Sequence, residues 1–173
     1  GKPLPKAQNE LSIQGHAIEV RIYAENPEND FLPAAGSLWR LKQPAANANI
    51  RIDTGVIQGD EVGVFYDPMI AKLIVWGETR TIAIQRVQQA LGEYKIAGVT
   101  TNVDFLRRLI AVRAFREAIL KTDFIEQHRR ELFGHEDHTI TLAQAGLYLT
   151  LAPVSQGATL EMATRKPQID SSS

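Results

Sequence analysis

The chain contains no cysteine, only two methionines and two tryptophans, and 7% aromatic residues in its 173 positions. Without cysteine there is no disulfide framework, no thiolate nucleophile and no cysteine zinc site. Charge of one sign is also missing: 19 basic against 20 acidic side chains leave a formal net charge of −1. That excludes the overall basic charge of a typical nucleic-acid binder. No apolar run approaches the ~20 residues that a membrane-spanning helix needs, so neither nucleic acid nor membrane is expected as a partner. No secretory signal stands at the start, though a fragment would lack one. What is present, 44% hydrophobic and 23% charged residues, is the composition of an ordinary globular chain with room for one domain.

The polar, proline-containing residues 1–14 read as an entry arm. From His16 to Ala24 the sequence alternates, with Ile18, Val20 and Ile22 on one face and Glu19, Arg21 and Tyr23 on the other, the pattern of a half-buried strand. ENPENDFLPAAG reads as a loop. Further strands are expected at Ser37–Lys42, Asn49–Thr54, Glu61–Tyr66 and Ala71–Trp76, separated by turn chemistry at Gln58-Gly59-Asp60 and Asp67-Pro68. After Gly77 the period changes. Ala83, Val87, Ala90, Leu91 and Tyr94 fall at helical spacing between Thr79 and Tyr94. A short strand-like return at Tyr94–Ala97 precedes a helix capped by Thr101 or Asn102, then Ala114–Leu120 and a helix that Thr122 can cap. The expectation is an α+β domain over 15–133, an antiparallel β-rich unit followed by packed helices. Residues 134–173 are expected to be a linker or the start of a following domain, partly disordered, with one apolar segment at Thr139–Leu151.

Few motifs carry chemistry by themselves. His128, His135 and His138 lie near Glu131, Glu136 and Asp137, but no pair sits on one helical face at metal-binding spacing, so no metal site is expected. Between Arg107 and Arg130 seven basic side chains face three acidic ones, whereas Gly15–Asp67 holds eight acidic against four basic; contact with a neighbouring domain fits this better than DNA does. There is no GxGxxG, P-loop or GxSxG. VIQGDEVGVFYDPMIAKL has the look of a biotinyl or lipoyl carrier hairpin, but Lys72 lies inside an apolar strand instead of at a tip. Arg51 sits in NIRIDTG between Ile50 and Ile52, which point the other way, and Asp53 shares its face. A guanidinium held there suits a carboxylate or a developing oxyanion; it also suits a plain surface position.

Taken together, GHAIEVRIYAENP, NDFLPAAGSL, RIDTGVIQGDEV, YDPMIAKLIVWGETR and GVTTNVDFLRRL resemble the C-terminal domain of biotin carboxylase found in the α subunits of acyl-CoA carboxylases. The resemblance runs from about Gly15 to Leu132, and QGDEV, YDPMIAKL and TDFIEQH look most like the methylcrotonyl-CoA and propionyl-CoA branch. It implies a ligase that uses ATP, Mg2+ and bicarbonate to carboxylate biotin by way of carboxyphosphate. It also implies that most nucleotide and metal contacts come from an ATP-grasp domain, with signature ExNTRxQVEH, which this sequence does not contain. By the same resemblance Arg51 matches a family arginine that contacts biotin and bicarbonate, as both substrate-binding and catalytic residue, while Glu19, Arg21, Asp67 and Lys72 fall on motif positions that form the cleft. The implied partners are the ATP-grasp and N-terminal domains, a biotinyl carrier domain, a carboxyltransferase β subunit and a second copy of the chain, with Trp76–Arg80 as contact candidates. The implied location is a bacterial cytoplasm or a mitochondrial matrix. Alone, the chain is expected to be inactive and to bind no cofactor tightly; the rival expectation is a structural docking module.

Overall fold

In the computed structural model, residues 1–63, 65 and 67–133 are described. Thus Thr139–Leu151, His135 and His138 lie outside the described residues, as does the rest of 134–173. The entry arm is exposed throughout, with one 3-10 turn at Gln8–Glu10.

The strands are β1 (His16–Tyr23), β2 (Glu25–Asn26), β3 (Leu32–Pro33), β4 (Gly36–Ser37), β5 (Arg40–Lys42), β6 (Ile50–Thr54), β7 (Glu61–Val62) and β8 (Met69–Gly77). Helix α1 (Arg80–Glu93) comes next, then β9 (Lys95–Ala97), α2 (Val103–Ala111), α3 (Arg113–Arg116), α4 (Phe124–Gln127) and α5 (Arg129–Leu132). The order, β-rich and then helical, matches the expected α+β class.

The expected strands do not join into one sheet. The main sheet has three antiparallel strands in the order β1-β8-β6, and β2-β3, β4-β7 and β5-β9 form separate two-stranded ribbons. The long apolar β8 holds the centre because both of its edges are paired. Ala71, Leu73 and Val75 point to the same side as Ile18, Val20 and Ile22, and the α1 residues Ala83, Val87 and Ala90 close over them. Gly77 lets α1 come close, since a Cβ there would stand 2.5 Å from the Ala83 nitrogen.

Two local departures have plain causes. Ser37–Lys42 is broken because Leu38 turns fully into the core and exchanges backbone hydrogen bonds with Asp60 and Gly59, ending β4 and leaving Trp39 exposed. The helix expected over Ala114–Leu120 stops at Arg116, where Ala118 takes a left-handed φ of 59°. Thr79 caps α1, its hydroxyl accepting from the Ile82 N–H at 3.3 Å. The caps expected from Asn102 and Thr122 differ: Asn102 precedes α2 but makes no side-chain cap bond, and Asp123 stands at the cap position of α4.

Candidate functional site

The α1 side of the main sheet is sealed, so chemistry belongs to its other face. Cross-strand register places side chains there in two rows. Arg21 of β1 is opposite Lys72 of β8, which is opposite Asp53 of β6; Glu19 is opposite Ile74, which is opposite Arg51. Five charged groups from three strands therefore share one face, because alternation sends every second residue of each strand to it. Four of the expected site residues, Glu19, Arg21, Arg51 and Lys72, are brought together.

Asp67 is not among them. It lies before β8 in the turn, where its Oδ1 accepts from the Met69 N–H at 3.1 Å. Its charge acts instead on Glu25, whose carboxyl is pushed up first by burial and then by Asp67. Nothing in the strand pattern singles out Glu25; only the turn that folds Asp67 toward it does so.

The two arginines are held differently. Arg51 Nε donates to Asp53 Oδ1 at 2.8 Å, yet its side chain is 75% exposed and both partners sit on one strand. Asp53 is held below the usual carboxylate range mainly by that hydrogen bond, with Arg51 and Lys72 adding charge attraction. Arg21 is 54% exposed, and Tyr23 first, then Glu19, favour its charged form; its Nε lies 3.5 Å from Glu19 Oε1. Behind Arg21 the backbone is clasped by Asn102, a residue 6% exposed. Asn102 Nδ2 donates to the Arg21 carbonyl at 3.1 Å, and the Tyr23 N–H donates to Asn102 Oδ1 at 3.0 Å. Sequence reading placed Asn102 at a helix start and missed this use of its amide.

The contact candidates at Trp76–Arg80 divide as well. The Trp76 indole N–H donates to the Gln14 carbonyl at 3.2 Å with part of the ring still exposed. Arg80 is engaged within the chain: Nη2 donates to the Phe115 carbonyl at 2.6 Å, and the guanidinium stands 5.2 Å from the Phe115 ring centre.

A face with several guanidinium and carboxylate groups can bind a carboxylate or stabilise negative charge on an oxygen. It does not fit a magnesium–nucleotide site. Among the described residues no group of three His, Asp or Glu stands together as metal ligands.

The class of protein is thus an α+β unit with an antiparallel sheet, one face sealed by a helix and the other carrying these charges. Residues 19–127 match the family model "Biotin carboxylase C-terminal domain". This chain belongs to that family. It is 50% identical over 132 residues to the mitochondrial methylcrotonoyl-CoA carboxylase subunit alpha of Mus musculus, covering 76% of this chain and 18% of that protein. It is 36% identical over 153 residues to the mitochondrial propionyl-CoA carboxylase alpha chain of Mus musculus, covering 88% and 21%. Among solved structures it resembles the biotin carboxylase domain dimer of Hydrogenobacter thermophilus 2-oxoglutarate carboxylase in complex with MgADP, ADP and bicarbonate. That match has a TM-score of 0.74 and 33% identity over 79% of this chain and 30% of the other. The chain thus spans about a fifth of these two curated relatives.

Proposed function

We propose that this chain serves as the C-terminal domain of the biotin carboxylase part of an acyl-CoA carboxylase of the methylcrotonoyl-CoA type. In this reading 15–133 is the domain, 1–14 the arm entering it and 134–173 the passage to the next domain. The observation that carries it is the register that gathers Glu19, Arg21, Lys72, Arg51 and Asp53 on the open face of the sheet. ATP, Mg2+ and bicarbonate act in the complete enzyme, with nucleotide and metal held by the ATP-grasp and N-terminal domains. Biotin arrives on its carrier domain and leaves toward the carboxyltransferase β subunit. The chain alone is inactive. The enzyme works where its relatives do, in a mitochondrion or a prokaryotic cytoplasm, and pairs with a second copy as a dimer. The exposed Trp39, Ile57 and Leu32 fit a domain covered by other parts of such an assembly.

The guanidiniums bind bicarbonate's carboxylate-like oxygens and stabilise charge that grows on biotin's ureido oxygen as its nitrogen loses a proton. Such stabilisation works best with donors held before the charge appears. Both guanidiniums take their side-chain partners from their own strands, but the backbone at Arg21 is braced in addition by a buried amide from outside the sheet, and no such brace stands behind Arg51 among the described residues. We therefore assign the main oxyanion role to Arg21 and a supporting substrate-binding role to Arg51, with Glu19 and Asp53 ordering the two guanidiniums and Lys72 adding positive charge beside Asp53.

The test is biotin-dependent phosphate release by the full-length carboxylase. Arg21→Ala is expected to lose on the order of 100-fold in kcat and Arg51→Ala on the order of tenfold, with ATP KM unchanged in both. Near-normal turnover by both folded variants would leave the docking-module reading in its place.

A further inference from the structure

Asn102 is the one buried side-chain amide among the described residues, and both ends of it are spent on β1. β1 is an edge strand of the main sheet, with β8 on its inner side only. On its outer edge the Arg21 carbonyl and the Tyr23 N–H would otherwise need another strand or water. The Asn102 side chain supplies one donor and one acceptor in their place, and its backbone N–H donates to the Tyr23 carbonyl at 3.2 Å. The orientation of the amide is fixed by its partners, since a carbonyl requires the nitrogen and an N–H requires the oxygen. Two of these three bonds go to Tyr23 and one to Arg21, so they bracket the residue pair from which the Arg21 side chain projects. Asn102 is itself anchored: it leads into α2, whose Phe105 and Ile110 are buried, and its carbonyl accepts from the Leu106 N–H at 2.9 Å.

We propose that Asn102 is a positioning residue for Arg21, fixing the edge of β1 so that the guanidinium is presented to the carboxylation site in one place. Asn102 touches no substrate. It acts through the backbone of the residue that does, and the proposal rests on the oxyanion role proposed for Arg21. A strand edge free to shift by an ångström would carry the Arg21 guanidinium with it, and misplacement on that scale costs rate more than binding.

The test is a double-mutant cycle in the full-length carboxylase with Arg21→Ala, Asn102→Ala and the pair, measuring biotin-dependent phosphate release, ATP KM and circular dichroism. The backbone hydrogen bond of residue 102 survives the substitution, so only the amide is removed. Asn102→Ala alone is expected to lower kcat about tenfold with ATP KM unchanged, and in the Arg21→Ala background to lower it less than about twofold, because the group it positions is gone. An equal loss in both backgrounds would assign Asn102 a purely structural role and overturn the proposal. Normal turnover by Arg21→Ala would instead overturn the role of Arg21, a result read from that variant alone. Should Asn102→Ala fail to fold, Asn102→Ser takes its place in the same cycle with the same expectations.

Discussion

The carboxylate of Asp53 accepts a 2.8 Å hydrogen bond from Arg51 Nε, and both residues lie on β6, two positions apart on the open face. The bond ties up one edge of the guanidinium and holds its plane relative to the strand. It also makes Asp53 a titrating support.

Because Arg51 holds the Asp53 carboxyl below its ordinary range, the stabilisation it provides is complete above the unfolded aspartate range and disappears as pH falls through the lower, folded value. Asp53→Asn is expected to lower Tm slightly at about pH 7, with the gap from the parent shrinking toward about pH 2 as the Asp53 carboxyl takes up its proton. Thermal unfolding at the two pH values checks this, and an equal gap at both would remove the ion pair as its cause.

Tyr94 behaves in the opposite sense. Its hydroxyl is buried with no hydrogen-bond partner, and burial pushes its pKa up to about 12. Its contribution to stability is full below the ordinary tyrosine value of about 10 and is lost as pH rises toward the folded value. Tyr94→Phe is expected to leave Tm at neutral pH unchanged or slightly raised, since it removes an unsatisfied buried group. The variant is also expected to lose part of the fall in stability between about pH 10 and 12. Denaturant unfolding across that window is the measurement; a clear loss of stability at neutral pH would mean that the hydroxyl has a partner.

Gly98 closes the turn after β9 with a φ of 110°, and a Cβ there would land on the Ser37 carbonyl oxygen. Gly98→Ala combines an unfavourable backbone with a clash against main chain, and is expected to cost at least about 1–3 kcal/mol. Urea denaturation should show the loss as a lower midpoint with an unchanged slope. An alanine variant of parental stability would show that this turn can open without cost.

Arg80 joins the start of α1 to the end of α3 through the carbonyls of Phe115 and Arg116 and the ring of Phe115. Arg80→Met keeps the aliphatic stem and removes the donors; a loss of about 1–2 kcal/mol is expected. Hydrogen exchange should then quicken at residues 113–118 and leave β8 protected. Faster exchange throughout, or none, would place the tether elsewhere.

The sequence exposed these relationships unevenly. The two periodicities marked β1 and α1 because burial on one face is written directly in their residues, and the alternation already put Glu19 with Arg21 and Arg51 with Asp53. It could not set the rows, because which residue of β8 stands opposite Arg21 depends on register across a long intervening segment. Leu38 looked like one more strand residue until a turn drew it inward. Asn102 looked like a helix cap because local spacing is all that a single sequence offers; its partners are Arg21 and Tyr23, far back in the chain. Asp67, judged by its motif, turned out to brace its own turn.

The pairing of β1 with β8 also bears on how the domain is made. His16 meets Gly77 and Tyr23 meets Met69, so the first strand has no partner in the main sheet until everything between has been synthesised. β6 and β8 are closer together and can zip first, leaving β1 to close the sheet after a costly loop. Until then its apolar stripe of Ile18, Val20 and Ile22 is uncovered and its backbone edges are open to strands of other molecules. Refolding yield should accordingly fall with protein concentration, and translation that pauses before Met69 should prolong the interval in which the nascent chain needs a chaperone.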